Sequence, residues 1–168
     1  MSTPSFEPVG DAVEALKATF RRHASGVAIL TTVDAEGQPV AFTATSVTSL
    51  GTNPPLVSFN VARGSSSWPA ISEATHVALH TLGTDNLDLA KKMSQDHTQR
   101  FVGTDWESGP QGLPILAGVT SVLVLRIRQV VAIEANAVLI ADVVDGLIGA
   151  EQRPLLYFKR DYYTAGDL

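Results

Sequence analysis

The order of apolar and polar residues along the chain predicts short strands with a few helices between them. Apolar residues recur at helical spacing at positions 9, 13, 16 and 20, which predicts an amphipathic helix over residues 9–23. Gly37 can adopt positive φ in the turn between the first two predicted strands, so these two are expected to form a hairpin. Runs rich in β-branched residues predict strands at residues 27–33, 40–47, 56–61, 76–82, 119–131, 137–144 and 155–158.

Two shorter helices and one long connection complete the predicted order of elements. Ser67 followed by a Trp-Pro pair predicts an N-cap and a short helix over residues 68–73. A second helix is predicted over residues 86–94, after a polar capping residue. Residues 95–118 are polar and contain Pro and Gly, so this stretch is predicted to be a surface connection.

This succession of elements is typical of a mainly β protein. Antiparallel strands without a repeated strand–helix–strand rhythm favour a barrel or a sandwich over a doubly wound sheet. The 168 residues suffice for one substantial core but not for two domains of ordinary size. One domain over residues 1–168 is therefore expected, with residues 1–8 as a flexible tail.

Charge and cysteine content narrow the classes of function. A net charge of −5 gives no general electrostatic attraction to nucleic acid or to an anionic membrane. The absence of cysteine excludes disulfides, thiolate metal sites and thiol catalysis. The first residues lack the features of a secretory signal, and no apolar run approaches the length of a membrane span. A cytoplasmic location is the expectation.

Two polar segments are candidates for ligand binding. Residues 42–49 (FTATSVTS) hold five hydroxyl side chains on a predicted strand, which could pair with the polar edge of a flat heterocycle; the pattern alone favours a solvent-facing strand. Residues 60–67 (NVARGSSS) precede a predicted helix, where serine hydroxyls and helix-start amides could bind an anion with Arg63 nearby. An ordinary serine N-cap explains this run equally well. It contains neither a P-loop nor a dinucleotide-binding glycine motif.

Other chemistry has weaker support. His76 and His80 share one face of a predicted strand, but no third ligand has a plausible position, so a structural role is favoured and no metal site is predicted. No GxSxG motif accompanies the serines, and nothing indicates hydrolysis.

Taken in order along the chain, these segments resemble the flavin reductase-like, FMN-binding split-barrel family, whose members supply reduced flavin to two-component monooxygenases. The resemblance extends from residue 20 to about residue 163. The motifs that carry it are FRRHASGVAILTT at residues 20–32, FTATSVTS at 42–49, NPPLV at 53–57, SSSWPAI at 65–71, LAKKM at 89–93, RFVG at 100–103, Trp106, and PLLY at 154–157.

The resemblance implies a mainly β fold, a Greek-key antiparallel split β-barrel that forms a homodimer and completes its flavin pocket at the subunit interface. It also implies FMN as cofactor, with FAD possible, and a set of binding residues that surround the ring, the ribityl chain and the phosphate. These residues are Thr43, Ala44, Thr45 and Ser46 at the ring, Asn60, Val61 and Ala62 along the ribityl chain, and Ser66, Ser67, Lys92, Met93 and Arg100 at the phosphate end.

In such proteins NADH or NADPH donates hydride to the flavin, and the protein supplies position and orientation, so no catalytic acid or base is nominated. The resemblance implies that Asn136, Lys159, Arg160 and Tyr162 contact the nicotinamide nucleotide. One departure stands out, because many family members have Gly-Asp-His where this chain has Glu-Ala-Asn at residues 134–136.

The expected function is therefore an NAD(P)H:flavin oxidoreductase that serves a partner monooxygenase. Because of the missing Gly-Asp-His, an FMN carrier or sensor of the same fold is the alternative, and a split barrel that uses a deazaflavin or haem is a third.

Overall fold

A computed structural model describes residues 5–167 and shows a mainly β protein with three short helices. The predicted tail of residues 1–8 falls in part on residues 1–4, which lie outside the described residues. The helices are α1 (Ala12–Phe20), α2 (Trp68–Glu73) and α3 (Leu87–Met93). The strands are β1 (Ser25–Gly26), β2 (Ala28–Val33), β3 (Pro39–Ala44), β4 (Thr48–Thr52), β5 (Pro55–Ala62), β6 (His76–Thr81), β7 (Trp106–Ser108), β8 (Pro114–Leu116), β9 (Ser121–Ile133), β10 (Asn136–Ile148), β11 (Leu155–Phe158) and β12 (Asp161–Thr164).

The main sheet is antiparallel and has seven strands in the order β3-β2-β6-β9-β10-β5-β4. Its two edge strands, β3 and β4, are consecutive in the chain and are joined by residues 45–47 only. The four Cα–Cα steps from Ala44 to Thr48 can span at most about 14 Å, whereas a flat sheet of seven strands is about 29 Å wide. The sheet must therefore curl until its edges meet, and the rings of Phe42 on β3 and Phe59 on β5 accordingly lie 6.3 Å apart.

Strand order within this sheet follows a Greek-key pattern. Strand β5 precedes β6 in the chain but pairs with β10, on the far side of β9. A hairpin links β2 to β3, as the sequence predicts, with register Thr31 opposite Ala41. A small sheet of β1, β11 and β12 and a hairpin of β7 and β8 lie beside the main sheet.

Alternating residues of the curled sheet supply two buried clusters. One cluster fills the concave side and includes Leu30, Phe59 and Leu139. The other lies on the opposite side, where Ile29 packs with Met93 of α3. The two clusters fix the curvature of the sheet, because each side of the central strands is buried.

The predicted surface connection at residues 95–118 is wrong for its second half. Leu113 and strand β8 are buried and belong to the second cluster. Hydrogen bonds from two buried side chains fasten this segment to the sheet: Thr31 Oγ1 donates to the Pro114 carbonyl at 2.6 Å, and His80 Nε2 accepts from the Leu116 amide at 3.1 Å. Pro and Gly punctuate the segment, but its Leu-Pro-Ile-Leu run at residues 113–116 packs like a core strand.

Helix α1 is shorter than the predicted range of residues 9–23. Asp11 caps it by accepting hydrogen bonds from the amides of Val13 and Glu14 at 2.7 and 3.2 Å. The helix buries none of its residues, so its apolar positions, including Val13 and Leu16, remain exposed. No helix among residues 5–167 is long and apolar enough to cross a membrane.

Five strands, β1, β4, β7, β8 and β12, were missed, and one predicted strand extends too far along the chain. The strand predicted over residues 40–47 ends at Ala44, and residues 45–47 carry the chain from one sheet edge to the other before β4 begins. The helices predicted over residues 68–73 and 86–94 correspond to α2 and to α3.

Candidate functional site

A surface cleft of about 840 Å³, here called cleft one, opens where α1, β1, the β3–β4 connection and the β11–β12 turn meet. Three of the predicted flavin residues line it: Thr45, Ser46 and Asn60. The Ser46 hydroxyl accepts a hydrogen bond from the Asn60 amide at 3.0 Å, which ties the β3–β4 connection to β5. This hydrogen bond fixes the polar end of cleft one. The cleft is large enough for a ring system.

The opposite wall of cleft one carries aromatic and cationic side chains. Tyr157 and Phe158 of β11 line this wall, followed by Lys159 and Arg160 of the β11–β12 turn. Lys159 and Arg160 have φ of 51° and 65°, so both occupy the left-handed region that favours glycine or asparagine. The Lys159 ammonium lies 5.2 Å from the centre of the Phe158 ring. Strained, charged residues at a cleft are a feature of ligand sites.

A second concavity of about 490 Å³, here called cleft two, holds the serines and Arg100. Ser67 does not cap α2 with its side chain as predicted; its hydroxyl instead donates to the Ala41 carbonyl at 3.1 Å. Arg100 Nη1 donates to the same carbonyl at 2.5 Å and lies 3.3 Å from Ser67 Oγ. The Ser67 hydroxyl and the Arg100 guanidinium thus both contact the Ala41 carbonyl on β3.

The guanidinium of Arg100 is suited to an anion. It is half-buried, and burial lowers the pKa of Arg100 from its ordinary value. Within residues 5–167 no carboxylate oxygen lies within 4 Å of it, and its other hydrogen bonds go to the Gln95 carbonyl at 3.1 and 3.2 Å. Asp96 lies close enough to interact with the Arg100 charge but forms no ion pair with it, so this partly desolvated cation is suited to stabilise a phosphate.

Strand β3 joins the two clefts. Ala41 lines cleft two and Thr45 lines cleft one. Ala41 and Thr43 share a face of the strand, because side chains alternate along it, and Thr45 is the first residue after β3 ends. The four residue steps from Ala41 to Thr45 cover about 13 Å. A ligand with a ring at one end and a phosphate at the other can therefore lie along this face.

Two buried hydroxyl groups, one on β3 and one shortly before α2, lack a partner within residues 5–167. Thr43 Oγ1 and Ser65 Oγ are buried and make no hydrogen bond within residues 5–167. Leaving a buried hydroxyl unpaired costs about 1–3 kcal/mol, so these atoms are expected to have a partner in the functional state. Thr43 lies between the two clefts, at the position where a polyhydroxylated chain would pass, and the residues present therefore fit a phosphorylated flavin.

The structure does not bring all the predicted residues together. Lys92 lines a third cleft of about 710 Å³ and its ammonium donates to the Val102 carbonyl, and Met93 is wholly buried in the core. Ala44 and Val61 are also buried, in the cluster on the concave side, so they support the site from beneath. Lys92 and Met93 thus stand apart from the serines.

The residues at the β9–β10 turn are likewise outside both clefts. Asn136 is exposed and lies opposite Ala62 in the register of β10 with β5. Arg63, a candidate for anion binding, instead donates to the Glu134 carbonyl at 2.8 Å and lies 6.0 Å from the Trp68 ring centre. Arg63 therefore fixes this turn.

Tyr162 and His80 are fixed by contacts with the rest of the protein. The Tyr162 ring is half-buried, 5.4 Å from that of Tyr157, and packs on the second cluster. His80 is wholly buried, and its Nδ1 donates to the Ile29 carbonyl at 3.0 Å while its Nε2 accepts from Leu116. Both ring nitrogens are thus engaged, and residues 5–167 contain no group of three or more His, Cys, Asp or Glu that could hold a metal ion.

Sequence reasoning missed the residues that the first helix contributes. Lys17, Phe20 and Arg21 line cleft one. Their spacing of three and four residues places them on one face of α1, and this spacing was visible in the sequence. The sequence analysis took only an amphipathic helix from this segment and assigned none of its residues to the site.

Comparison with known proteins shows the family of this chain. The profile of the family described as "Flavin reductase like domain" matches residues 20–166. The chain belongs to this family. An "NADH:FMN oxidoreductase" from Rhodococcus qingshengii is 35% identical over 154 residues, which cover 88% of this chain and 79% of that protein.

Two solved structures share the fold of this flavin reductase-like domain. A flavin reductase domain protein from Arthrobacter sp. FB24 is 46% identical, with a TM-score of 0.89 over 93% of this chain and 97% of that one. A homolog of nitrilotriacetate monooxygenase component B from Mycobacterium thermoresistibile is 28% identical, with a TM-score of 0.83 over 92% and 89% of the two chains. Both clefts lie in the matched region, except for Lys17 on α1.

Proposed function

We propose that this protein is an NAD(P)H-dependent FMN reductase in which the flavin lies along β3, with its ring in cleft one and its phosphate in cleft two. The observation that carries the proposal is the unpartnered Thr43 hydroxyl between a polar ring-sized cleft and the half-buried Arg100. The NADH:FMN oxidoreductase named among the relatives supports the same cofactor and the same donor.

Each group along this path has a distinct part. Arg100, Ser66 and Ser67 hold the phosphate in cleft two, and Thr43 donates to the ribityl chain. Thr45, Ser46 and Asn60 face the polar edge of the ring, whereas buried Ala44 and Val61 keep the strands beneath it rigid.

The bound flavin supplies the hydride-accepting atom, and the protein supplies position and exclusion of water.

The curled Greek-key sheet further supports a split barrel, and its surface supports a homodimer. Val13, Leu16 and Phe20 on α1 are 56%, 60% and 61% exposed, and Ile133 at the β9–β10 turn is 57% exposed. Large apolar side chains that are more than half exposed are typical of a surface that a second subunit covers.

Delivery of reduced flavin to a monooxygenase is the proposed role in the cell. Its support is the structural relative named as a monooxygenase component B homolog, which matches over nearly the whole of both chains. The partner would take up reduced flavin from the open side of cleft one.

The test is oxidation of NADH and of NADPH by the purified protein with FMN, followed at the nicotinamide absorbance band. We expect saturable turnover with at least one donor. We also expect tight FMN binding, measured by the quenching of FMN fluorescence. Tight FMN binding without bleaching by either donor would instead establish the carrier alternative, which the Glu-Ala-Asn sequence at residues 134–136 favours. Absence of both binding and turnover would refute the proposal.

A further inference from the structure

Cleft one carries a concentration of positive charge that the flavin does not explain. Four of the 12 Lys and Arg residues line it, and none of the 17 Asp and Glu residues does, although the chain has a net charge of −5. Lys17 and Arg21 come from α1, and Lys159 and Arg160 come from the β11–β12 turn on the other side. The cleft is thus a local cationic site on an acidic protein.

The direction in which the flavin is proposed to lie excludes its phosphate as the ligand of these cations. If the phosphate lies at Arg100 in cleft two, the ring end in cleft one is uncharged. The adenylate part of FAD is attached through the same phosphate, so it would also leave from cleft two. A second anionic ligand must therefore enter cleft one, and in a flavin reductase this is the dinucleotide donor.

We infer that Arg21 on α1, assisted by Lys17, binds the diphosphate of the nicotinamide dinucleotide opposite the Lys159–Arg160 turn. The inference rests on the proposed function and adds α1 to the donor site. Most of α1 lies outside the residues matched by the family profile, which begin at residue 20. Arg21 lies just inside the matched residues and Lys17 lies outside them.

The side chains on α1 differ in how free they are to bind. Lys17 forms an exposed ion pair with Glu14 at 3.0 Å, which diminishes its attraction for a second anion. Arg21 is the C-cap residue of α1, it is exposed, and within residues 5–167 no carboxylate oxygen lies within 4 Å of its guanidinium. Arg21 thus carries the larger share of donor binding.

The β11–β12 turn supplies an independent indication that this site binds a ligand. A two-residue turn with positive φ at both positions is normally occupied by asparagine and glycine, yet Lys159 and Arg160 are found here. Because two adjacent cations occupy this strained turn beside a cleft, their charge is expected to contribute to ligand binding. The turn and α1 then contact the dinucleotide from two sides.

The experiment compares Arg21→Glu with Arg22→Glu in the FMN-loaded protein. Both substitutions change the net charge equally at neighbouring exposed positions, but only Arg21 lines cleft one. ADP-ribose, which contains the diphosphate without the nicotinamide ring, is titrated by calorimetry, and the KM for NADH is measured in parallel. We expect the ADP-ribose Kd and the KM to rise on the order of tenfold in R21E and less than twofold in R22E.

The outcomes separate the inference from the proposed function. Equal constants in R21E and R22E, or no ADP-ribose binding by a wild-type protein that reduces FMN normally, would overturn the role of α1 and leave the reductase intact. Failure of the wild-type protein to bind FMN or oxidise NADH would remove the proposed function and the inference with it. FMN affinity should be the same in both variants, and Arg21→Gln, with a smaller change in charge, serves as a second variant should R21E unfold.

Discussion

The buried His80 makes the stability of this protein depend on pH in a defined window. Burial lowers the pKa of His80 from 6.5 to about 4, against the opposing effect of its hydrogen bond to Ile29. Between these values the unfolded chain binds a proton that the folded protein excludes, so stability is complete above about pH 6.5 and falls as the pH is lowered towards 4. The shift corresponds to a loss of about 2 kcal/mol between pH 7 and pH 5, and about 3 kcal/mol at pH 4.

Urea unfolding followed by tryptophan fluorescence at fixed protein concentration measures this loss. His80→Gln keeps a donor and an acceptor but cannot titrate, so its free energy of unfolding is expected to be lower at pH 7 and nearly constant from pH 7 to pH 5. His23→Gln, at an exposed position, controls for the loss of a histidine. The pKa of Asp142 is lowered chiefly by its hydrogen bond from Arg128. Protonation of Asp142 therefore destabilises the fold only at pH below the ordinary pKa of 3.8. A wild-type protein equally stable at pH 7 and pH 5 would refute this reasoning.

Three further substitutions test the site and the proposed subunit contact. Thr43→Val removes the unpartnered hydroxyl, so it should weaken FMN binding about fivefold by fluorescence titration without lowering Tm, whereas Thr52→Val should leave FMN binding unchanged. Arg160→Gly relieves a left-handed residue at an exposed turn, so it should raise the free energy of unfolding by roughly 0.5–1 kcal/mol while raising the KM for NADH; a less stable variant would contradict the assigned strain. Leu16→Glu places a charge on the apolar face of α1, so sedimentation should show a shift from dimer to monomer, and an unchanged dimer would exclude this face from the interface.

Periodicity and turn residues sufficed to predict six of the seven strands of the main sheet, and β11, but not the buried strand β8. The β2–β3 hairpin was predictable because its apolar runs flank Gly37, and α2 because a Trp-Pro pair follows Ser67. Strand β4 was not predictable, since all five of its residues are exposed and it has no apolar alternation. Strand β12 escaped prediction because its hairpin turn has Lys and Arg where asparagine and glycine are usual.

The candidate site was predictable in its residue types but not in its division between two clefts. Thr45 and Ser67 are both polar residues near strand ends, and only the path of β3 shows that one lies at each end of it. Arg100 follows a polar stretch that carries no helical or strand pattern, so its contact with Ala41 depends on tertiary folding. Met93 matched a family motif, yet its place on the inner face of α3 makes it a core residue.

The affinity of Arg100→Gln for FMN and for riboflavin tests the central claim most directly, because the two ligands differ only in the phosphate. If the phosphate lies in cleft two beside Ser67, the wild-type protein prefers FMN, and the variant loses on the order of tenfold in FMN affinity while its riboflavin affinity stays the same. Equal FMN affinity in the two proteins would place the phosphate elsewhere and contradict a flavin lying along β3.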